Sequence, residues 1–265
     1  MQNKNLIIVI LFFLVISKGF SQVIQKPQAM VTYIAKKETS FLGEYSCTLI
    51  FDATQSIFSW NKDGDSSLKT DASGSLYKPD HSKDGVINIL NFKNNSLISK
   101  DFIAYDKNSY LIKEEIPNID WKITGETKKL SGYTVTKATT SFRGRDYTVW
   151  FTTKIPTKAG PWKLHGLPGL ILEVTDSTNE IYFLVKKIEQ FNQAYSVEKE
   201  FTGKNIDLIT FYKENINAPF EAVARQNARN NRGGSVQITG VNFNFLEKNY
   251  EYLAEDIKKK FENKN

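Results

Sequence analysis

Ten short runs rich in Val, Ile, Tyr, Phe and Thr, set apart by Gly, Asn, Asp and Pro, constrain this chain most. They are Met30–Ala35, Tyr45–Phe51, Ser56–Trp60, Val86–Phe92, Leu97–Tyr105, Tyr110–Ile116, Tyr133–Ser141, Asp146–Thr153, Leu170–Val174 and Ile181–Ile188. β-Branched and aromatic residues fit a pleated, half-buried surface, and the intervening residues suit tight turns. In Asp146–Thr153, Tyr147, Val149 and Phe151 fall on one strand face, and Thr148, Trp150 and Thr152 on the other. Consecutive strands joined by short turns predict an antiparallel meander. The expected fold is mainly β: one curved, half-barrel-like sheet with C-terminal helices packed against it.

Two segments depart from this pattern. Residues 61–85 are dominated by Asp, Ser, Lys and Gly, which predicts a long polar loop or hairpin extension. Residues 219–264 have helical character. Pro219 suits a first helical position, and that helix is expected to end before Gly233 and Gly234. Arg225, Arg229 and Arg232 share a face of it and read as solvated. Further on, Leu246, Tyr250, Leu253, Ile257 and Phe261 form one apolar stripe. Glu247, Glu251 and Glu255 fill the start of that helix and Lys258–Lys260 its end, as the helix dipole favours. The stripe packs on the sheet, or alternatively lies on a membrane surface.

The N-terminus reads as a signal peptide over residues 1–21. Lys4 precedes the apolar run Leu6–Ile16, and Gly19 and Ser21 place small residues before Gln22. No cysteine follows near that point, so no lipoprotein acceptor is available. The rest, 22–265, reads as one β-rich domain exported to the periplasm or the outer membrane. Cys47 is the only cysteine, in the apolar context YSCTLIF, and reads as a buried thiol. Without Lys4 and Lys18 the 35 basic side chains fall to 33 against 29 acidic, a net charge of +4. That balance permits peripheral contact with an anionic surface but lacks the concentrated basic stripe of a nucleic-acid binder.

Familiar catalytic patterns are missing: no GxSxG, no HExxH, no phosphate-binding loop. His81 and His165 lie too far apart for a local ligand pair. Asp63, Asp65 and Ser67 have the odd spacing of a calcium loop, but Leu68 and Gly74 stand where it needs Gly and Glu. No metal or cofactor is expected. Glu114 and Glu115 are neighbours and point to opposite strand faces. Glu173 interrupts the apolar LILEV, and a half-buried carboxylate needs a partner. Arg143 and Arg145 of FRGRD are the candidates, as a structural pair or as an anion-binding face.

The segment Gly160–Val174, GPWKLHGLPGLILEV, is stiff and apolar where a connection is normally polar. Leu167-Pro168-Gly169-Leu170 suits a type II turn, with Gly169 at φ > 0. Gly166, Pro168 and Gly169 are the structural turn residues, and Trp162, Leu164 and Leu167 the apolar anchors. The segment is a packed cap at one end of the sheet, or else an exposed recognition edge.

This signature resembles the motif of the GLPGLI family, exported proteins of unknown function from Bacteroidota-type bacteria. Trp121, Gly132-Tyr133, Arg143-Gly144-Arg145, Trp150, Ile155-Pro156 and Gly160-Pro161-Trp162 are similar to that family's pattern in order, with QSIFSW upstream. The resemblance implies an envelope protein and brings no catalytic residues. Two functions are expected from all this. The first is a non-catalytic binding or assembly module for an envelope protein or an apolar, lipid-like ligand. Arg143, Arg145, Trp150, Trp162, His165, Leu167 and Pro168 are its candidate contact residues. The alternative is an envelope hydrolase with a site near the signature loop, drawn from residues such as His165, Glu173 and Arg143.

Overall fold

The computed structural model describes residues 23–37, 44–61, 69–70, 76–77, 86–103, 106, 108–197, 201–229 and 247–248. The leader-like N-terminus, the Asp63/Asp65/Ser67 group, His81, Arg232 and the apolar stripe from Leu246 to Phe261 lie outside these residues.

The strands in chain order are β1 (Val23–Ile24), β2 (Ala29–Lys37), β3 (Glu44–Phe51), β4 (Gln55–Asn61), β5 (Lys69–Thr70), β6 (Leu76–Tyr77), β7 (Val86–Asn91) and β8 (Ser96–Phe102). Then come β9 (Ser109–Glu115), β10 (Lys122–Leu130), β11 (Tyr133–Phe142), β12 (Arg145–Thr152), β13 (Leu170–Asp176), β14 (Ile181–Gln190), β15 (Tyr195–Ser196) and β16 (Lys204–Ile206). Among the described residues one α-helix, α1, spans Leu208–Arg229. All ten expected runs are strands, with ends shifted by a few residues.

Twelve strands form one sheet in the order β10-β11-β12-β13-β14-β2-β3-β4-β7-β8-β9-β16. It is two antiparallel meanders joined where β14 pairs with β2, from Gln190↔Ala29 to Ile181↔Lys37. The added edge strand β16 runs parallel to β9, so the sheet is not wholly antiparallel. A second sheet, β1-β15-β6-β5, takes in part of the polar 61–85 segment as a short hairpin, with Thr70 opposite Leu76.

Chain connectivity forces the large sheet to curl. β9 and β10 stand ten strand positions apart, about 48 Å if the sheet were flat. Only the segment from Glu115 to Lys122 joins them, and it reaches about 24 Å at full extension. The sheet therefore bends until these strands approach, yet they do not pair, so it is an open bowl and not a closed barrel.

One sheet face carries the main core: Tyr33, Leu49, Phe58, Phe151, Leu172 and Phe183, with Trp162, Leu164 and Leu167 of the signature segment packed among them. Cys47 is fully buried here and forms no disulfide. Ile50, Ile57, Ile89 and Ile98 form a separate core with Ile24, Tyr195, Val197 and Phe201. α1 lays Phe211, Tyr212, Ile216 and Phe220 against Tyr110 and Ile112 of β9.

α1 corrects the expected helix start. Pro219 lies inside it, and the helix begins at Leu208 because Asp207 caps it. The Asp207 carboxylate accepts from Thr210 N at 2.9 Å, satisfying one of the first-turn amides. Among the described residues no helix is long and apolar enough to cross a membrane.

Candidate functional site

The hairpin joining β11 and β12 turns on Arg143 and Gly144, both left-handed at φ 53° and 77°. That is the two-residue turn whose twist matches its strands. Arg143 therefore projects from a turn, and Arg145 opens β12. The shared anion-binding face expected for them does not form, because each reaches different carboxylates. Neither is the partner of Glu173, which instead meets Lys128 at 2.5 Å, with the Lys128 ammonium 4.3 Å from the centre of the Trp150 ring. Trp150 and Glu173 are cross-strand neighbours, half-buried on the outer face.

Arg145 closes the β13–β14 hairpin. Its guanidinium lies 2.6 Å from Asp176 and 2.7 Å from Glu180. Asp176 also accepts from Thr178 Oγ1 and Ile181 N. Burial works to raise the Asp176 pKa, but these bonds and Arg145 outweigh it and hold the carboxylate below its usual range. This arrangement is structural: every Asp176 oxygen is committed.

Arg143 belongs to a second, more buried cluster. It meets Glu114 of β9 at 2.5 Å and Glu247 at 3.2 Å. Lys163, from the signature segment, meets the same carboxylates at 3.0 and 2.7 Å. Two cations thus alternate with two carboxylates, and all four side chains are nearly buried. Burial alone would raise the Glu114 pKa, yet Lys163 and Arg143 together pull it below the ordinary carboxylate value. Burial would lower the Lys163 pKa, and Glu247 and Glu114 raise it instead. Both charges are therefore held across the neutral range. Tyr212 of α1 donates to Glu247, and burial, Glu247 and Asp101 push its phenol pKa well up. From the sequence, Glu247 is expected at the start of a helix, where its charge matches the dipole. It is 1% exposed, because Arg143 and Lys163 draw its carboxylate inward.

This cluster borders a cavity of about 230 Å³. Trp162, Phe102 and Phe211 supply aromatic wall, and Asn88, Ser99, Asp101, Lys163, Tyr212, Asn215 and Glu247 supply polar groups. Ser99 Oγ donates to Asn88 Oδ1 at 2.8 Å. Asn88 is completely buried, and its Nδ2 has no hydrogen-bond partner among the described residues. No group of three or more His, Cys, Asp or Glu is placed to hold a metal ion among the described residues.

The signature segment is a packed cap. Trp162 is 2% exposed and stacks edge-on to Phe142, and Leu164 and Leu167 are buried. Only Gly166 and Pro168 reach the surface between Pro161 and Leu170. His165 contacts the Lys163 carbonyl through Nδ1 at 2.8 Å and also bonds the backbone of Pro117, while its own carbonyl accepts from Trp121 Nε1 at 2.8 Å. Burial depresses the imidazole pKa despite the bonds that raise it. His165, Glu173 and Arg143 do not line this cavity, and each has separate partners: the Lys163 carbonyl, Lys128 and Glu114.

Gly169 differs from expectation. Among the described residues the left-handed glycines are Gly132, Gly144 and Gly166, and Gly169 is not one of them. A Cβ at Gly169 would collide with Thr152 O and lie 2.7 Å from Thr152 C. Close backbone approach, not positive φ, demands glycine there.

Sequence reasoning missed Lys163, Asn88, Asp101 and Tyr212. A signal existed for two of them. Lys163 is a lone charge in the apolar run PWKLHGL, and Asn88 a lone amide in VINIL. Buried polar groups of that kind need partners or a ligand.

No curated protein matches the sequence. The fold is similar to that of PNGF-II, solved in space group C2, at a TM-score of 0.51 and 19% identity over 71% of this chain and 32% of that one. A P21 structure of PNGF-II gives a TM-score of 0.50 and 18% identity over 71% and 33%. The chain spans about a third of the length of the solved structures it matches. Residues 69–214, which contain the signature segment, match a family other than the GLPGLI family, to which no match was found. By that match the chain belongs to the family described as the N-glycanase peptide, N-terminal domain.

Proposed function

We propose that this chain is an exported, envelope-located part of N-glycan hydrolysis, and that a sugar unit of the glycan enters the cavity beside the signature segment. The observation carrying this reading is the extent of the family match. It takes in every cavity-lining residue except Asn215 and Glu247. The lining suits a polyhydroxylated ring: aromatic walls for its apolar faces, and carboxylate, amide and hydroxyl groups for its hydroxyls. At about 230 Å³ the cavity admits one small unit of a branched glycan. Asp101 is the cavity carboxylate outside the paired cluster. Export rests on the leader-like run around Lys4 and Leu6–Ile16, and on the resemblance of the signature to GLPGLI proteins.

A non-catalytic binding module is the second reading. One feature favours it: Glu114 and Glu247 are each clasped by two cations, which leaves neither suited to donate a proton.

The test incubates the protein with a denatured glycoprotein bearing N-linked glycans and reads glycan release by mass. Release that Asp101→Asn abolishes supports the hydrolase. Retention of glycopeptides without release supports the binding module. Neither release nor retention rejects both.

A further inference from the structure

We propose that Arg143 and Lys163 form a binding site for the carboxylate of a small ligand, and that Glu247 occupies this site as an internal stand-in. The two cations sit on the sheet scaffold, one in the β11–β12 turn and one in the signature segment. Glu114 of β9 neutralises part of their charge. The second carboxylate comes from elsewhere in the chain, beyond the end of α1. Its grip is that of a bound anion: Glu247 Oε1 on Lys163 at 2.7 Å, Oε2 on Arg143 at 3.2 Å, and a bond from the Tyr212 hydroxyl. Beside it, Lys248 N donates to Arg143 O at 2.8 Å, and Lys248 Nζ meets half-buried Glu180 at 3.0 Å.

The cavity points independently to a ligand. Asn88 Nδ2 is a fully buried donor with no acceptor among the described residues, in the wall of the cavity that Lys163 and Glu247 also line. Burying such a donor unpaired is costly, and a ligand oxygen would satisfy it. With Glu247 withdrawn, Arg143, Lys163 and Glu114 together carry one net positive charge among the described residues. Asp101 also borders the cavity and disfavours a second acidic group on the ligand. The fitting ligand is therefore a monocarboxylate with additional oxygen acceptors. An acidic sugar and an acidic peptide side chain share that chemistry. The inference uses the same cavity as the glycan reading but does not depend on the glycan, and failure of the glycan assay leaves the experiment below intact.

The experiment titrates the wild-type protein with glucuronate and, separately, with N-acetylaspartate, at constant ionic strength, with glucose as the neutral control. Saturable binding of at least one acid and no comparable binding of glucose is expected. The acid that saturates at lower concentration identifies the source as sugar or peptide. Glu247→Gln removes the internal competitor, so its affinity should rise roughly tenfold. Lys163→Met should abolish binding. Wild-type protein that binds neither acid, or a folded Glu247→Gln that binds no more tightly than wild type, overturns the proposal. If Glu247→Gln does not fold, Glu247→Ala replaces it, because the group it deletes has the size of acetate. Acetate should then raise the melting temperature of Glu247→Ala more than that of wild type. Equal shifts overturn the proposal.

Discussion

At the scale of single residues, two glycines separate two reasons for having no side chain. Gly132 is left-handed at φ 83°, with nothing within 4 Å of where a Cβ would sit. Gly169 is not left-handed, and its Cβ position is blocked by the Thr152 backbone at the end of β12. Gly132→Ala should therefore cost about 1 kcal/mol, the strain of a side chain in that region. Gly169→Ala should cost about 1–3 kcal/mol, because backbone must shift to admit the methyl group. Asn tolerates the left-handed region, so Gly132→Asn should recover most of its loss, whereas Gly169→Asn should be worse than Gly169→Ala. Urea denaturation of the four variants checks this ordering. Equal recovery by Asn at both sites would contradict it. The glycine-proline signature was thus legible as a rigid packed turn. The steric reason for Gly169 was not, because Thr152 meets it only after the chain has folded back through Ile155 and Gly166.

At the scale of elements, strands were legible where alternation and composition agreed, as in β12, whose Tyr147, Val149 and Phe151 are all buried. β10 was missed because KITGETKKL has no apolar face. It is an edge strand, held in register on β11 by the Ser131-Gly132 turn, and Ile123 on it is 51% exposed. α1 was placed late because proline signals a helix start more often than a helix interior. The earlier signals were Asp207 and the Phe211, Tyr212, Ile216, Phe220 spacing. Pro219 deprives one turn of α1 of its hydrogen bond. Pro219→Ala is expected to stabilise the helix by about 1–3 kcal/mol, and hydrogen exchange of the α1 amides should slow accordingly. Faster exchange would mean that the break at Pro219 is what lets Tyr212 and Phe220 both reach β9. The cavity depends on that placement, since Phe211, Tyr212 and Asn215 all line it.

At the scale of the whole molecule, the buried cluster lies where the curled sheet brings distant strands together. Glu114 comes from β9 near one edge, and Arg143 from the hairpin beside the other. Their separations in sequence explain why the cluster could not be read in advance: 29 residues between Glu114 and Arg143, and 104 between Arg143 and Glu247. Each was instead assigned a local role. Removing one member leaves an uncompensated buried charge, so Glu114→Gln should destabilise the protein by about 3 kcal/mol at neutral pH. The pH dependence has two arms. Glu114 is held below its ordinary value, so its contribution is present above the unfolded pKa, about 4.3, and is lost as pH falls through the folded value. Lys163 is held above its ordinary value, so its contribution is present below about 10.4 and is lost as pH rises through the folded value. Between those limits the cluster's contribution is flat. Asp176 and Glu180 are likewise lowered and add to the acid arm. Glu114→Gln should therefore lower the neutral plateau and make the acid-side fall shallower without abolishing it. Urea unfolding from pH 3 to pH 8 measures both effects. An acid-side slope unchanged from wild type would show that Glu114 does not hold its charge against these two cations, leaving Glu247 as the carboxylate that pairs them.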